Sequence, residues 1–258
     1  MTGSALLSRV RRELSQTVAI TMKDIRVYYL APPMVMFGLA MPFLMFLSFS
    51  VQRGLPAQEA LARLIAITTF FTASSAGPVI VPTEKRTRSF ERLLVAPVSI
   101  LSVLLGKTLV GAVFGVAISL ATLLVAALAL GASTASLLSL VLCVLLASVS
   151  FSAMGLLFGL CPTDSATPVG SAMMPATLIR WPLMFISGVF VPLNQMSPAL
   201  RAVSFLSPLT YAQDLMNHAI LGRGLQSPVL DWLVLLASTG IFVGVTFWFD
   251  RIQKRRGY

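Results

Sequence analysis

The stretch EKRTRSFERLLVAPVS, Glu84 to Ser99, is the one long charged and amphipathic run in an otherwise apolar chain, and hydrophobic segments of membrane length flank it on both sides. Phe90, Leu93 and Leu94 fall at i, i+3 and i+4, so a short helix there presents one apolar edge beside Arg88, Glu91 and Arg92. A loop of this kind between two spans is suited to touch something outside the bilayer. Everything around it reads as membrane.

Composition agrees. Hydrophobic residues make up 57% of the 258 and charged residues 11%, whereas soluble domains carry roughly 25% charged residues. A net charge of +10 raises the question of nucleic acid as a partner, but the basic residues cluster beside hydrophobic spans and do not line one soluble face. The expected partner is the lipid bilayer, not nucleic acid.

A helix of about 20 apolar residues crosses a bilayer. Candidates lie at Pro33–Val51, Leu64–Val81, Thr108–Leu130, Leu137–Leu160, Ala166–Val191 and Trp232–Phe249. Arg9, Arg11, Arg12, Lys23 and Arg26 precede the first; Lys85, Arg86, Arg88, Arg92 and Lys107 lie between the second and third; Arg251, Lys254, Arg255 and Arg256 follow the last. The opposite side shows Arg53, Arg63, Arg201 and Arg223. The excess of positive charge places both termini and the Glu84–Lys107 loop in the cytoplasm of a multi-pass cell-membrane protein. The first ~28 residues lack the apolar core of ~7–15 residues that a secretory leader needs, so the amino terminus is expected to stay inside.

Two segments outside the spans carry their own pattern. Leu7, Val10, Leu14 and Val18 recur at helical spacing among Arg9, Arg12, Glu13 and Gln16, which predicts an interfacial helix within residues 1–28 lying on the inner leaflet. The outer segment 192–231 is apolar but divided by Pro208, which predicts a pair of short re-entrant helices, Pro198–Leu206 and Leu209–Leu221, packed against protein or a wet cavity.

Catalytic chemistry finds few residues to use. The single histidine, His218, stands four positions after Asp214, a spacing open to a proton relay or half a metal site; with no further ligand joining them in sequence, the pair reads as a cap or surface pairing, and no metal site is expected. Gly106-Lys107-Thr108 ends like a phosphate loop, but Leu101 stands where the leading glycine belongs and a hydrophobic span follows, so Lys107 reads as an inner-leaflet anchor. Cys143 and Cys161 are too far apart along one predicted helix to bridge. No acidic residue lies deep inside a span, which argues against a proton- or sodium-driven carrier and leaves the energy source to a partner.

At two places the chain resembles a known family, the permease subunits of type-two ABC exporters, which include drug, antibiotic and glycolipid export systems. One is Glu84 through Ser99, similar to that family's acidic residue, basic run, Glu-Arg-Leu-Leu and Pro-Val-Ser, here Glu91-Arg92-Leu93-Leu94-Val95-Ala96-Pro97-Val98-Ser99. The other is Ser187-Gly188-Val189-Phe190-Val191-Pro192 followed by Pro208-Leu209-Thr210-Tyr211, similar to the family's Ser-Gly-x-Phe-x-Pro and Pro-Leu-Thr-Tyr pair. The resemblance implies a permease that dimerises with a second copy or a related chain and recruits two cytosolic ATPase subunits. Those subunits bind ATP and Mg; this chain carries no cofactor and is not itself an enzyme. It further implies that Glu84, Phe90, Glu91, Arg92, Leu93 and Leu94 couple to the ATPase, while Pro97, Gly188, Pro192, Pro208 and Tyr211 are structural. The expected fold is thus an all-α integral membrane protein, a single permease domain over residues 1–258. It has six transmembrane helices, an N-terminal interfacial helix, a cytoplasmic coupling helix within 84–107 and a re-entrant pair before the last span.

The competing class is a channel, scaffold or modulatory subunit that uses no ATP. A neighbouring reading frame for a soluble protein with a phosphate-binding loop separates the two.

Arg180 stands apart from the resemblance. It is the one basic residue deep within a predicted span, where a charge costs ~2.5–3.5 kcal/mol on insertion scales. Three readings follow: the span begins later than Ala166, Arg180 snorkels along Trp181 to the outer interface, or it lines the outward path and attracts an anionic group on the passenger.

Overall fold

The computed structural model describes residues 3–29, 32–36, 40, 42–44, 56–89, 98–130, 134–161 and 167–255. Among these the regular structure is helical: α1 (Gly3–Tyr28), α2 (Pro32–Val35), α3 (Ala57–Arg86), α4 (Ile100–Leu130), α5 (Leu137–Leu160), α6 (Pro168–Ile186), a 3₁₀ turn (Leu193–Gln195), α7 (Pro198–Ser204), α8 (Pro208–Leu221) and α9 (Pro228–Arg255). Five helices, α3, α4, α5, α6 and α9, are long and apolar enough to cross a membrane. They correspond to the second through sixth expected spans; most of the first, Pro33–Val51, lies outside the described residues.

The core is organised around α3. Its apolar stretch is wholly buried, whereas α9 sits at the periphery and turns Leu233, Leu236, Ile241 and Trp248 outward. Helices in lipid gain little from burying one leucine against another, so close approach of small residues has to hold them. α3 supplies Ala73, Ser74, Ala76 and Gly77; α5 answers with Ser148, Ser152, Gly155 and Gly159; α4 adds Gly111 and Gly115. At Gly77 and Gly155 the two backbones touch, and a methyl group on either would strike main-chain atoms of the other helix. Three hydroxyls in this seam are satisfied by main-chain carbonyls: Thr69 Oγ1 donates to Ile65 O at 2.7 Å, Ser74 Oγ to Phe70 O at 2.5 Å and Ser152 Oγ to Thr108 O at 2.6 Å, whereas Ser148 Oγ is buried with no hydrogen-bond partner among the described residues. Phe70 stands edge-on to Phe71 and Phe151, with centroids 5.5 and 5.0 Å apart, and closes the seam on its apolar side.

α1 lies along the beginning of α4. Thr21 Oγ1 reaches Gly106 O at 3.1 Å, Ser102 Oγ reaches Glu13 O at 3.2 Å and Tyr29 Oη reaches Val110 O at 2.9 Å. Val10, Leu14, Val18 and Met22 are left exposed on the far side. Of the stripe anticipated from spacing, Val10, Leu14 and Val18 thus face away from the bundle.

The segment after α6 is a helical corner. Pro198 and Pro208 each occupy the first turn of a helix, where the missing N–H costs nothing. Pro208 thus begins α8 and does not merely divide a longer helix. Tyr211 Oη donates to Phe205 O at 2.9 Å and Thr210 Oγ1 to Ser204 O at 2.6 Å, folding α8 back against α7. Between α6 and the 3₁₀ turn, Gly188 takes φ +86°, a left-handed conformation that side chains rarely adopt, and a Cβ there would also press on Leu193. Pro192 then caps the 3₁₀ turn.

Candidate functional site: polar assemblies along α3

α3 has 30 residues, about 45 Å at ~1.5 Å per residue. Its ends and its middle each carry a polar assembly.

At the carboxyl end, Glu84 is fully buried and accepts from two lysines: Lys23 Nζ at 2.5 Å, and Lys107 Nζ in a shorter contact. Lys107 also reaches Asp24 Oδ2 at 3.2 Å, and Lys23 lies 2.8 Å from Asp24 Oδ1. Two cations and two carboxylates thus neutralise one another at the junction of α1, α3 and α4. Glu84, Asp24 and Lys107 are enclosed, while Lys23 opens to the surface. Burial pushes the Asp24 carboxyl above its ordinary range against the pull of Lys107, and the Glu84 charge adds to the push. Lys107 is therefore no snorkelling anchor. Its ammonium is turned inward because the carboxylates of two other helices meet it there. Beside the cluster, Lys85 Nζ donates to Leu160 O at 3.2 Å, tying the end of α3 to the last turn of α5.

Glu84 is the one coupling residue of the sequence reading that falls within the described structure. Phe90, Glu91, Arg92, Leu93, Leu94 and Pro97 lie outside the described residues. The chain re-enters at Val98 and Ser99, and Ser99 N donates to Gln16 Oε1 at 3.4 Å, so both edges of the loop are held, one by the charge cluster and the other by α1.

In the middle of α3 stands Arg180. Its side chain is 1% exposed and donates through Nη2 to the carbonyl of Ser74. Pro78 explains why that carbonyl is available. In a continuous helix the N–H of residue 78 would bond Ser74 O, and proline has none. Arg180 from α6 fills the vacancy that the proline creates, so it neither snorkels to the interface nor borders the polar cavity described below. One of its atoms, Nε, is buried without a hydrogen-bond partner among the described residues. A double-mutant cycle tests the pairing. Arg180→Met leaves Ser74 O unsatisfied and is expected to destabilise the purified protein by ~1–3 kcal/mol. In a Pro78→Ala background, where the helix supplies its own N–H, the same change should cost distinctly less, read as apparent Tm. Equal costs in both backgrounds would remove Pro78 from the explanation.

At the amino end of α3 is a polar cavity of about 440 Å³, bordered by Glu59, Arg63, Asn194, Gln213, Asn217 and Arg223, among others. Glu59 bridges Arg63 at 3.7 Å and Arg223 at 3.2 Å. Gly188 and Pro192 form part of its wall, so the turn between α6 and the 3₁₀ segment is also a cavity rim.

Comparison with known proteins fits this architecture. The family model described as "ABC-2 family transporter protein" matches residues 47–248. Among curated proteins, Nodulation protein J of Neorhizobium galegae is 30% identical over 80 residues, which is 31% of this chain and 29% of that protein. The relative is thus shared over less than a third of its length. The family match covers the central helices α3 to α8 and most of α9, together with both stretches on which the resemblance rested. This chain belongs to the ABC-2 family of transporter proteins.

Proposed function

We propose that the chain is the membrane-spanning permease subunit of an ATP-driven exporter, moving an amphipathic, drug-like or lipid-like molecule outward with energy from a separate cytosolic ATPase. The observation that carries this reading is the buried cluster of Lys23, Asp24, Glu84 and Lys107, which fixes the root of the 84–107 loop to α1 and α4. An ATPase that pushes on a loop moves the helices behind it only if the loop is stiffly anchored, and here three helices share one anchor. In this reading Phe90 and Leu94 dock in a groove of the ATPase, worth ~1.5–3 kcal/mol for each fully buried side chain. Glu91 and Arg92 set the register. With Lys107 committed to two carboxylates, ATP and Mg belong to the partner. A second permease copy or a related chain completes the pathway, the termini and residues 84–107 face the cytoplasm of the cell membrane, and residues 192–231 face out. Arg180 meets an anionic passenger when α6 parts from α3 and frees the guanidinium from Ser74.

Replacing Phe90 by Asp tests the coupling, because docking would then bury an unpaired charge. Co-purification of the ATPase with Phe90→Asp should fall at least about tenfold, the ratio equivalent to ~1.4 kcal/mol, and ATP-dependent uptake into inverted vesicles should fall with it. The level of inserted permease should stay unchanged. Normal assembly and transport by Phe90→Asp would take this loop out of the coupling role, and wild-type flux that ignores ATP would move the chain to the channel class.

A further inference from the structure

Asp214 and His218 sit one turn apart on α8, and the fold brings Asp231, from the first turn of α9, onto the same spot. Each of the three side chains offers one ligand atom, and the three atoms lie within 4.8 Å of one another. Asp231 is the residue that turns the pair into a site. It is fully buried, its carboxyl faces that of Asp214, and among the described residues no N–H or hydroxyl donor reaches either of its oxygens. A carboxylate taken out of water with nothing to bond is costly, and a second carboxylate beside it makes matters worse unless a proton or a cation lies between them.

The surroundings fit a cation. Asp214 is oriented by backbone N–H donors: Leu225 N at 2.8 Å to Oδ1 and 3.0 Å to Oδ2, and Gln226 N at 2.8 Å to Oδ2. His218 Nε2 stands 2.8 Å from Gln226 O. A carbonyl can only accept, so Nε2 carries the hydrogen and Nδ1 keeps the lone pair that a metal needs. An imidazole whose second nitrogen donates to a backbone carbonyl is the usual outer arrangement of a metal-bound histidine. Asp214 also borders the 440 Å³ polar cavity, which gives a hydrated ion a way in.

We propose that Asp214, His218 and Asp231 bind one divalent transition-metal ion of the zinc or manganese type, which clasps α8 to α9. Two carboxylates with one imidazole suit such ions better than calcium or magnesium, which prefer sites made wholly of oxygen. Bound there, the ion neutralises Asp231 and locks the 222–227 connection, whose backbone already holds Asp214 and His218. The site is separate from the coupling cluster: Asp214 borders the cavity at the amino end of α3, whereas Glu84 and Lys107 meet at its carboxyl end.

The test uses the full-length permease, purified without a polyhistidine tag, stripped with chelator and desalted. Reloaded with Zn²⁺ or Mn²⁺ and desalted again, it should retain one equivalent of metal by elemental analysis and unfold at a higher temperature than the stripped form. Mg²⁺ and Ca²⁺ should do neither. Co²⁺, used as an optical probe, should give visible ligand-field bands. Asp231→Asn and His218→Ala should each weaken Zn²⁺ binding by more than ~10-fold, since even residues behind a metal ligand change affinity by ~10–100-fold. Asp231→Asn preserves shape and removes a buried charge, so it should fold, and its apparent Tm should no longer respond to metal. Wild-type protein that holds no metal and shows one Tm with and without chelator would overturn the proposal, leaving Asp214 and Asp231 to share a proton. Retention of Zn²⁺ by both variants at wild-type affinity would overturn it equally.

Discussion

Gly155→Leu is expected to abolish folded protein, and Gly155→Ala to destabilise it by about 3 kcal/mol or more, at the upper end of the ~1–3 kcal/mol typical of overpacking. Any Cβ at this position meets the carbonyl of Ser74, with the α carbon of the same residue close behind. Those are main-chain atoms of a buried helix, so they cannot rotate away as a side-chain tip would. α3 and α5 must separate, and the separation passes on to Gly159, which packs on Gly77 O one turn along. The Ser74 carbonyl is also the acceptor of Arg180, so a displaced α3 loses its tie to α6 as well. Gly244→Ala is the matched control. Among the described residues a Cβ at Gly244 meets nothing within 4 Å, so alanine's better helix propensity should leave the protein unchanged or stabilise it by up to ~1 kcal/mol. The comparison is read by fluorescence-detected gel filtration of detergent-solubilised protein over a temperature series. A Gly155→Ala protein as heat-resistant as Gly244→Ala would mean that the seam is looser than its backbone contacts describe.

What could be read from the sequence, and what could not, divides along the range of the interactions. Helix existence follows from runs of apolar residues, and helix starts follow from proline and serine, all within a few positions of each other. Thus α5 matches Leu137–Leu160 residue for residue, and α7 starts at Pro198, where the first re-entrant helix was expected. Long-range partners leave no such trace. Lys107 looked like an anchor beside a failed phosphate loop because Asp24, 83 positions away, and Glu84 carry no mark that they turn towards it. Arg180 could be seen to be anomalous, yet the reason lies 106 positions away in a carbonyl freed by a proline. A signal for that pairing did exist: a proline inside a span orphans a carbonyl four residues earlier, and a lone buried cation is the complementary oddity. Asp231 escaped notice because it closes the 192–231 segment, just before the span expected at Trp232, where a single acidic residue is unremarkable. Only the packing of α9 on α8 makes it the third member of a group with Asp214 and His218.

Lys107→Met is expected to cost ~3–5 kcal/mol, the range for breaking a buried ion pair from one side. Methionine matches the lysine stem in length and apolar character, so packing is largely preserved and the loss is electrostatic. Glu84 keeps Lys23 as a partner, but Lys23 is half in solvent and is already shared with Asp24. Three charges then remain where four had cancelled, with a net −1 enclosed among α1, α3 and α4. The double variant Lys107→Met with Glu84→Gln returns the group to a neutral Lys23–Asp24 pair, so it should recover most of the lost stability, and the two changes should be strongly non-additive. Function should not return with it. If the cluster is the anchor of the 84–107 loop, the double variant folds and keeps its ATPase subunit, but with α3 no longer fastened to α4 at this point it transports less for each ATP consumed. Stability is read from the apparent Tm in detergent, and coupling from ATP hydrolysis and transport measured in the same proteoliposomes. A Lys107→Met protein with wild-type Tm would show that water reaches the cluster and screens it. A double variant with wild-type transport per ATP would leave the four charges a role in assembling the helices and none in transmitting force.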